Sequence, residues 1–478
     1  MPLRPNLIFK NIDMKFCKIK LTTTSIICLF LLYSCDYDDI NQDPTRPGGA
    51  NVEITALVPA MQTQTHRNQS ASLARHAGII MQHWEGSDAQ QLQYTDYNIG
   101  EDGPGSNTIW ESGFYTGAMR DADDIIKRAT ENGALNTRGV AKIYMAINLG
   151  MATNVWGDIP YSEAFLGKEN LSPKYDGQEE IYGALQNLLS GAIEDLNAED
   201  PAGIRGSLVA GSNEDWIKAA HGLKARFYIQ QTSVRSDVAQ LALEESRMAM
   251  ENNSGQLDFL FENTQNGGHP LALFGIGRPN TLIISDSFSE LMENDPRKDL
   301  YMEENPGSDF IFYNSNNPNL FWAQLDSPSP VMSYTELKFI EAESKVRLNE
   351  DAAEELNRAI RANMEYLGVS GTQISAYLST INLAGSMDEK IRLIIIEKYK
   401  ALYGQNAVGV WNDYRRTGYP EIVANPAGAN GNNPSGIVPR RLLYPISERL
   451  GNPESYEQAI NAQGGHLLDD DLWVFPIN

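Results

Sequence analysis

The chain has 478 residues, 42 % of them hydrophobic, with a formal net charge of −24. It can bury a sizeable core, and a polyanion of this size excludes nucleic acid and anionic lipid surfaces as electrostatic partners. Its three cysteines, Cys17, Cys28 and Cys35, all lie near the start, so CxxC metal or redox chemistry is excluded from the rest of the chain.

The first predicted element is a secretory signal over residues 1–34. Lys15, Lys18 and Lys20 precede an apolar run from Ile26 to Leu32, and Leu32-Tyr33-Ser34 precedes Cys35. The run is far short of the ~20 residues a spanning helix needs. Leu32 and Ser34 resemble the −3 and −1 positions of a bacterial lipobox, which predicts cleavage before Cys35 and lipidation of its thiol. Cys35 would then be the sole thiol of a mature chain of about −28, because residues 1–34 carry Arg4, Lys10, Lys15, Lys18 and Lys20 against Asp13. Residues 1–13 precede a more natural start at Met14 and read as an over-extended beginning. Residues 35–50, with Asp36, Asp38, Asp39, Pro44, Pro47, Gly48 and Gly49, read as a lipidated tether.

From residue 51 to 478 helical periodicity dominates. Leu73, Ala77, Ile80, Met81 and Trp84 share one face, as do Trp110, Phe114, Ala118, Ala122, Ile125 and Ala129. The clearest stripe is Ile181, Leu185, Leu188, Leu189, Ala192 and Leu196, with Asp176 and Glu179 ahead of it at capping-box spacing. Ser212 with Asp215, Ser333 with Glu336, and Ser386 with Glu389 repeat that spacing before further stripes. The helices form pairs with short links: about 107–130 with 138–155, 178–197 with 213–232, and 332–348 with 351–367. Stacked antiparallel pairs are the logic of tetratricopeptide (TPR) arrays, although no 34-residue consensus recurs. Three long polar stretches interrupt them: 85–106, 255–330 (one short helix expected near Phe288 to Met292) and 418–470. Loops this long inside a domain are usually functional.

Catalytic signatures are missing: no HExxH, GxSxG, P-loop or complete GxGxxG occurs. The six histidines show no ligand spacing; His76 and His83, seven apart, read as packing or a surface pair. Asp469, Asp470 and Asp471 offer calcium-binding oxygens but read better as a solvated run. No metal or cofactor is expected. Trp156 and Tyr161 read as core aromatics, Asp295-Pro296-Arg297 as a turn and helix start, and Arg415 and Arg416 beside Asp413 as structural ion pairs.

Several stretches, in order along the chain, resemble the SusD/RagB family of Bacteroidetes outer-membrane nutrient-binding lipoproteins. They are DINQDPTRP after Cys35, WGDIPYSEAF at 156–165, YDGQEEIYGALQNLLSGAIEDL at 175–196 and DWIKAAHGLKARFYI at 215–229. NDPRKDLY at 294–301, SPVMSYTELKFIEAES at 329–344, GVWNDYRRTGYP at 409–420 and PRRLLYPISE at 439–448 follow. The resemblance implies a mainly α fold, with TPR-like helix pairs forming a right-handed scaffold and long irregular ligand-binding loops. It implies a non-enzymatic, lipid-anchored protein of the outer membrane, facing the exterior. Such a protein binds oligosaccharide, or peptide, and delivers it to a SusC-like TonB-dependent transporter. A lipid-anchored glycan-active enzyme and a TPR-like scaffold that contacts only proteins are the alternatives.

The ligand site is expected at the 84–110 loop and the 310–322 segment. Trp84 reads as a helix-end tryptophan able to swing out of the core. FIFYNSNNPNLFW at 310–322 places aromatics around asparagines. By position in the family, Trp84, Tyr94, Tyr313 and Trp322 are the stacking candidates, with Asp88 and Asn314 as hydrogen-bonding candidates. The competing reading has Trp84, Phe312 and Trp322 closing the core beneath the loops.

Overall fold

The computed structural model describes residues 52–101, 104–305 and 309–477. The signal at 1–34, the Cys35 lipid site and the tether at 35–50 lie outside the described residues.

Helices α1 (Ile54–Ser70) and α2 (Ser72–Ile80) come first. Gln82, at φ 54°, then turns the chain, so Trp84 opens a short strand, β1 (Trp84–Gly86), instead of ending a helix. The stretch expected as a loop at 85–106 carries α3 (Ala89–Thr95) and the start of α4 (Pro104–Thr108). A π-helical segment, Ile109–Ala118, leads into α5 (Met119–Asn132), which pairs with α6 (Leu135–Trp156). The next pair is α7 (Gln178–Asn197) with α8 (Asn213–Ile229), followed by α9 (Val238–Ser246).

The stretch 255–330 holds more structure than expected. It contains β2 (Asp258–Leu260), α10 (Pro270–Gly277), β3 (Leu282–Ile284), α11 (Asp286–Leu291), α12 (Lys298–Tyr301), β4 (Glu303–Glu304), β5 (Phe310–Ile311) and β6 (Pro328–Pro330). Among the described residues the strands make only two-stranded antiparallel pairs: β1 with β3, β2 with β6, and β4 with β5. Helix α13 (Tyr334–Arg347) then pairs with α14 (Ala353–Tyr366), and α15 (Gly371–Leu378), α16 (Met387–Ala401), α17 (Ala407–Thr417), α18 (Ile446–Gly451) and α19 (Pro453–Gln463) follow.

Packing explains the order. Helices α5, α6, α7, α8, α9 and α13 each lie against the next, and α17 returns to pack on α2 and α6. This is the mainly α, TPR-like scaffold the periodicity predicts. One large apolar core runs through it, and a second, smaller one lies among α13, α14, α15 and α16. Complete capping boxes start α8 (Ser212 with Asp215) and α16 (Ser386 with Glu389), each worth about 1 kcal/mol. Ser333 caps α13, but the Glu336 carboxylate turns inward to Arg226, at 2.8 and 2.7 Å. Asp176 does not cap α7, which begins after Gly177. Its carboxylate instead accepts the N–H groups of Tyr161 and Ser162, at 2.9 and 2.7 Å.

A buried ionic seam joins α13, α16 and α17. Arg416 pairs with Glu343 and Asp413, Arg347 reaches Glu343 at 2.8 Å, and Lys398 reaches Asp413 at 2.9 Å. Burial opposes ionisation of Glu343, but Arg416 and Arg347 outweigh it and hold the carboxyl down at about 2. Arg415 corrects the expectation of a second ion pair. It donates to the carbonyls of Arg440 and Asn154 and lies over the rings of Trp411 and Phe475. Asp295 and Arg297 form the expected turn and helix start, with Arg297 fully buried between Asp295 and Glu397.

Candidate functional site: a polar-rimmed cleft beside the first strand

Trp84 does not swing outward. It is 2 % exposed, its Nε1 donates to the Tyr403 hydroxyl at 3.1 Å, and its ring packs closely on α2 at Gly78. Gly78 permits that approach, since a Cβ there would sit 2.4 Å from the indole. Trp322 is also core, 1 % exposed, packed against Phe321 and Tyr366. Gly404, at φ 72°, leaves room for it, because a Cβ would lie 2.4 Å from Trp322 Cγ. The expectation that these tryptophans offer open ring faces is therefore corrected in favour of the competing core reading. Both are well packed, and Trp84 has its one polar atom satisfied.

The other candidates are dispersed in role. Asp88 is exposed and caps α3, accepting the Ala89 N–H at 2.6 Å. Tyr94 is buried against the His76 ring, 4.0 Å between centroids. Half-buried Tyr313 packs on Gly275. Asn314 donates to Glu303 at 2.9 Å and accepts the Asn316 N–H, so its amide shapes its own turn. The two predicted segments do meet: β3, paired with β1, contacts β5, and Phe312 lies 6.4 Å from the Trp84 ring.

The cleft nearby, of about 360 Å³, is lined by the first of these two segments alone and takes no residue from 310–322. Ile79, Trp84 and Tyr97 line its apolar base, each no more than 3 % exposed. Gln82, Glu85 and Thr95 stand on one side, Ser285, Asp286 and Ser287 at the start of α11 on another, and the segment 423–426 closes the third. Gln82 is the hub. Its Nε2 donates to the Val423 carbonyl at 2.6 Å, its Oε1 accepts from Ser287 at 3.2 Å, and its carbonyl accepts from Ser285. The same Ser285 caps α11 through the Phe288 N–H.

The closing segment is held by its asparagines. The Asn425 N–H donates to the Tyr97 hydroxyl at 3.3 Å and its Nδ2 to the Thr95 carbonyl at 3.0 Å. Asn430 reaches the Tyr97 carbonyl and Asn432 that of Ile99, at 3.1 and 3.2 Å. Val423 nonetheless stands 79 % exposed at the rim. Burial raises the Glu85 carboxyl above the ordinary glutamate value, and Asp286, Asp309 and Asp96 raise it further. An apolar floor beneath hydroxyls, amides and carboxylates is suited to a sugar ring, which has one apolar face and a polar edge.

Sequence reasoning located Trp84 and the neighbouring loop but missed Ser285, Asp286, Ser287 and residues 423–426. The available signal was general: 255–330 and 418–470 are long, polar and rich in turn residues. His76 and His83 do not face one ligand; each is buried and donates to a different carbonyl, of Ser72 and of Tyr399. Among the described residues no three His, Cys, Asp or Glu side chains cluster as metal ligands, and no helix is long and apolar enough to cross a membrane. Asp471 pairs with Arg440, while Asp469 and Asp470 accept the N–H groups of Ser435 and Leu467.

The fold is shared with solved structures. A chitin-binding protein matches at TM-score 0.75 and 22 % identity, covering 89 % of this chain and 100 % of its own. A SusD homologue from Bacteroides fragilis matches at TM-score 0.72 and 23 % identity, over 89 % and 100 %. A chitin-binding SusD homologue from Flavobacterium johnsoniae matches at TM-score 0.74 and 18 % identity, over 88 % and 99 %. No curated protein matches the chain. The family model described as starch-binding and associating with the outer membrane matches residues 49–445, and the chain belongs to this SusD-like family of non-catalytic binding proteins with a general role in glycan binding and nutrient uptake.

Proposed function

We propose that this protein captures oligosaccharide in the cleft beside β1 and passes it to a SusC-like TonB-dependent transporter. It works from the outer face of the outer membrane, where a lipid on Cys35 holds it. The cleft carries the reading: an apolar floor of Ile79, Trp84 and Tyr97 lies beneath a rim of Ser287, Thr95, Asn425 and Glu85. Chitin binding by two proteins of the same fold supports a saccharide as the ligand. The charge of the mature chain, about −28, suits a protein that stays dissolved above a membrane while one end is anchored.

The test is calorimetric titration of the purified protein with a panel of oligosaccharides and peptides. Ser287→Trp fills the cleft and should abolish saccharide binding without changing the thermal midpoint. Unchanged saccharide affinity would move the site elsewhere, and binding of peptides alone would replace the ligand class. Cys35→Ala should release the protein from membranes or leave it uncut. Mild detergent extraction should co-purify a TonB-dependent transporter, whereas repeated recovery of a lone monomer would contradict that partnership.

A further inference from the structure

The two carboxylates that line the cleft are exposed, and their surroundings differ from those of the buried acids. Glu85 on β1 and Asp286 in the first turn of α11 both line it, and neither carboxylate has a hydrogen-bond or ion-pair partner among the described residues. Asp96, just past α3, and Asp309, just before β5, act on Glu85 from two further elements. No Lys, Arg or His is among the residues lining the cleft. On the 423–426 side the nearest acid in sequence, Glu421, is already occupied by Arg392 at 2.9 Å. The cleft is thus a polar-rimmed cavity with uncompensated negative charge converging on one carboxylate.

We propose that this cleft selects saccharides by charge, taking amino sugars with a free ammonium group most tightly, neutral sugars next, and rejecting uronic acid or sulfated sugars. The inference rests on the reading of the cleft as the glycan site. An ammonium group entering beside Glu85 replaces repulsion between carboxylates with charge-assisted hydrogen bonds. A hydroxyl can donate to the same oxygens but leaves their repulsion in place. A carboxylate or sulfate adds a further like charge and finds no cation.

The experiment compares glucosamine, glucose and glucuronic acid oligomers of one linkage, run in both the α and the β series, by titration at near-neutral pH. The expected order is amine, neutral, acid, with steps of about tenfold, the size of one charge-assisted contact. Raising the salt should compress the order. Glu85→Gln combined with Asp286→Asn should bring all three within about threefold, while Ser287→Trp removes binding of each. Lowering the pH should weaken the preference as Glu85 takes up its proton. Equal affinities that ignore the double substitution overturn the charge selection and leave the cleft as the glycan site. Tighter binding of the acid series overturns it as well. Binding that survives Ser287→Trp, or no binding by any series, removes the site and the selection together.

Discussion

Two groups of carboxylates in this protein meet opposite conditions. In the seam between α13, α16 and α17, Glu343 is fully buried yet held ionised by Arg416 and Arg347. In the cleft beside β1, Glu85 is more exposed yet harder to ionise: partial burial raises its carboxyl, and its charged neighbours, all acids, raise it further. The seam has its counter-ions built in and the cleft does not. Burial alone therefore does not set how readily an acid ionises here; the charges around it decide as well. The same contrast separates Arg416, whose charge is consumed inside the fold, from the cleft rim, where Glu85 and Asp286 still face outward.

Several substitutions would break or sharpen this contrast. Removing Arg416 (Arg416→Ala) should cost about 3–5 kcal/mol, since Glu343 and Asp413 would remain buried with a cation missing. Denaturant melts would show it, and a loss under 1 kcal/mol would contradict the seam's role. Trp322→Ala should be comparably destabilising, about 3–5 kcal/mol, with saccharide affinity unchanged. A large affinity loss with an intact midpoint would return Trp322 to the ligand site.

Acid titration separates the two groups by sign. The Glu343 carboxyl is lowered from the ordinary 4.5 to about 2, so its stabilisation is fully present above the ordinary value and is lost as pH falls between the two. Glu85 is raised, so its ionisation disfavours the folded state at neutral pH, and Glu85→Gln should leave the midpoint the same or slightly higher. A clear drop in midpoint for Glu85→Gln would mean that a partner compensates it. The smallest effect is expected at a cap: Ser386→Ala should cost about 1 kcal/mol and leave binding untouched.

The sequence revealed the scaffold better than the site. Stripes such as Ile181, Leu185 and Leu189 and boxes such as Ser212 with Asp215 are local, and local signals survive into the fold. Where a side chain had a distant competitor, the local reading failed. Asp176 met capping spacing but is taken by the backbone of Tyr161 and Ser162, and Glu336 is taken by Arg226. Trp84 continued a helical stripe, yet the turn at Gln82 ends the period and lays the indole on Gly78. The cleft itself joins positions some 200 and 340 residues beyond Gln82, through Ser287 and Val423, and no periodicity links them. The asparagines of 425–433 read as loop composition, and only the fold shows them holding the segment onto 95–99.

The most direct measurement is a crystal structure of the protein with a bound oligosaccharide. A sugar ring should sit in the cleft beside β1, against the small surface that Ile79, Trp84 and Tyr97 leave open, with its polar edge within hydrogen-bond distance of Glu85, Ser287 or Asn425. A saccharide seated on the Tyr313–Asn314 face or elsewhere, with the cleft beside β1 empty, would contradict it.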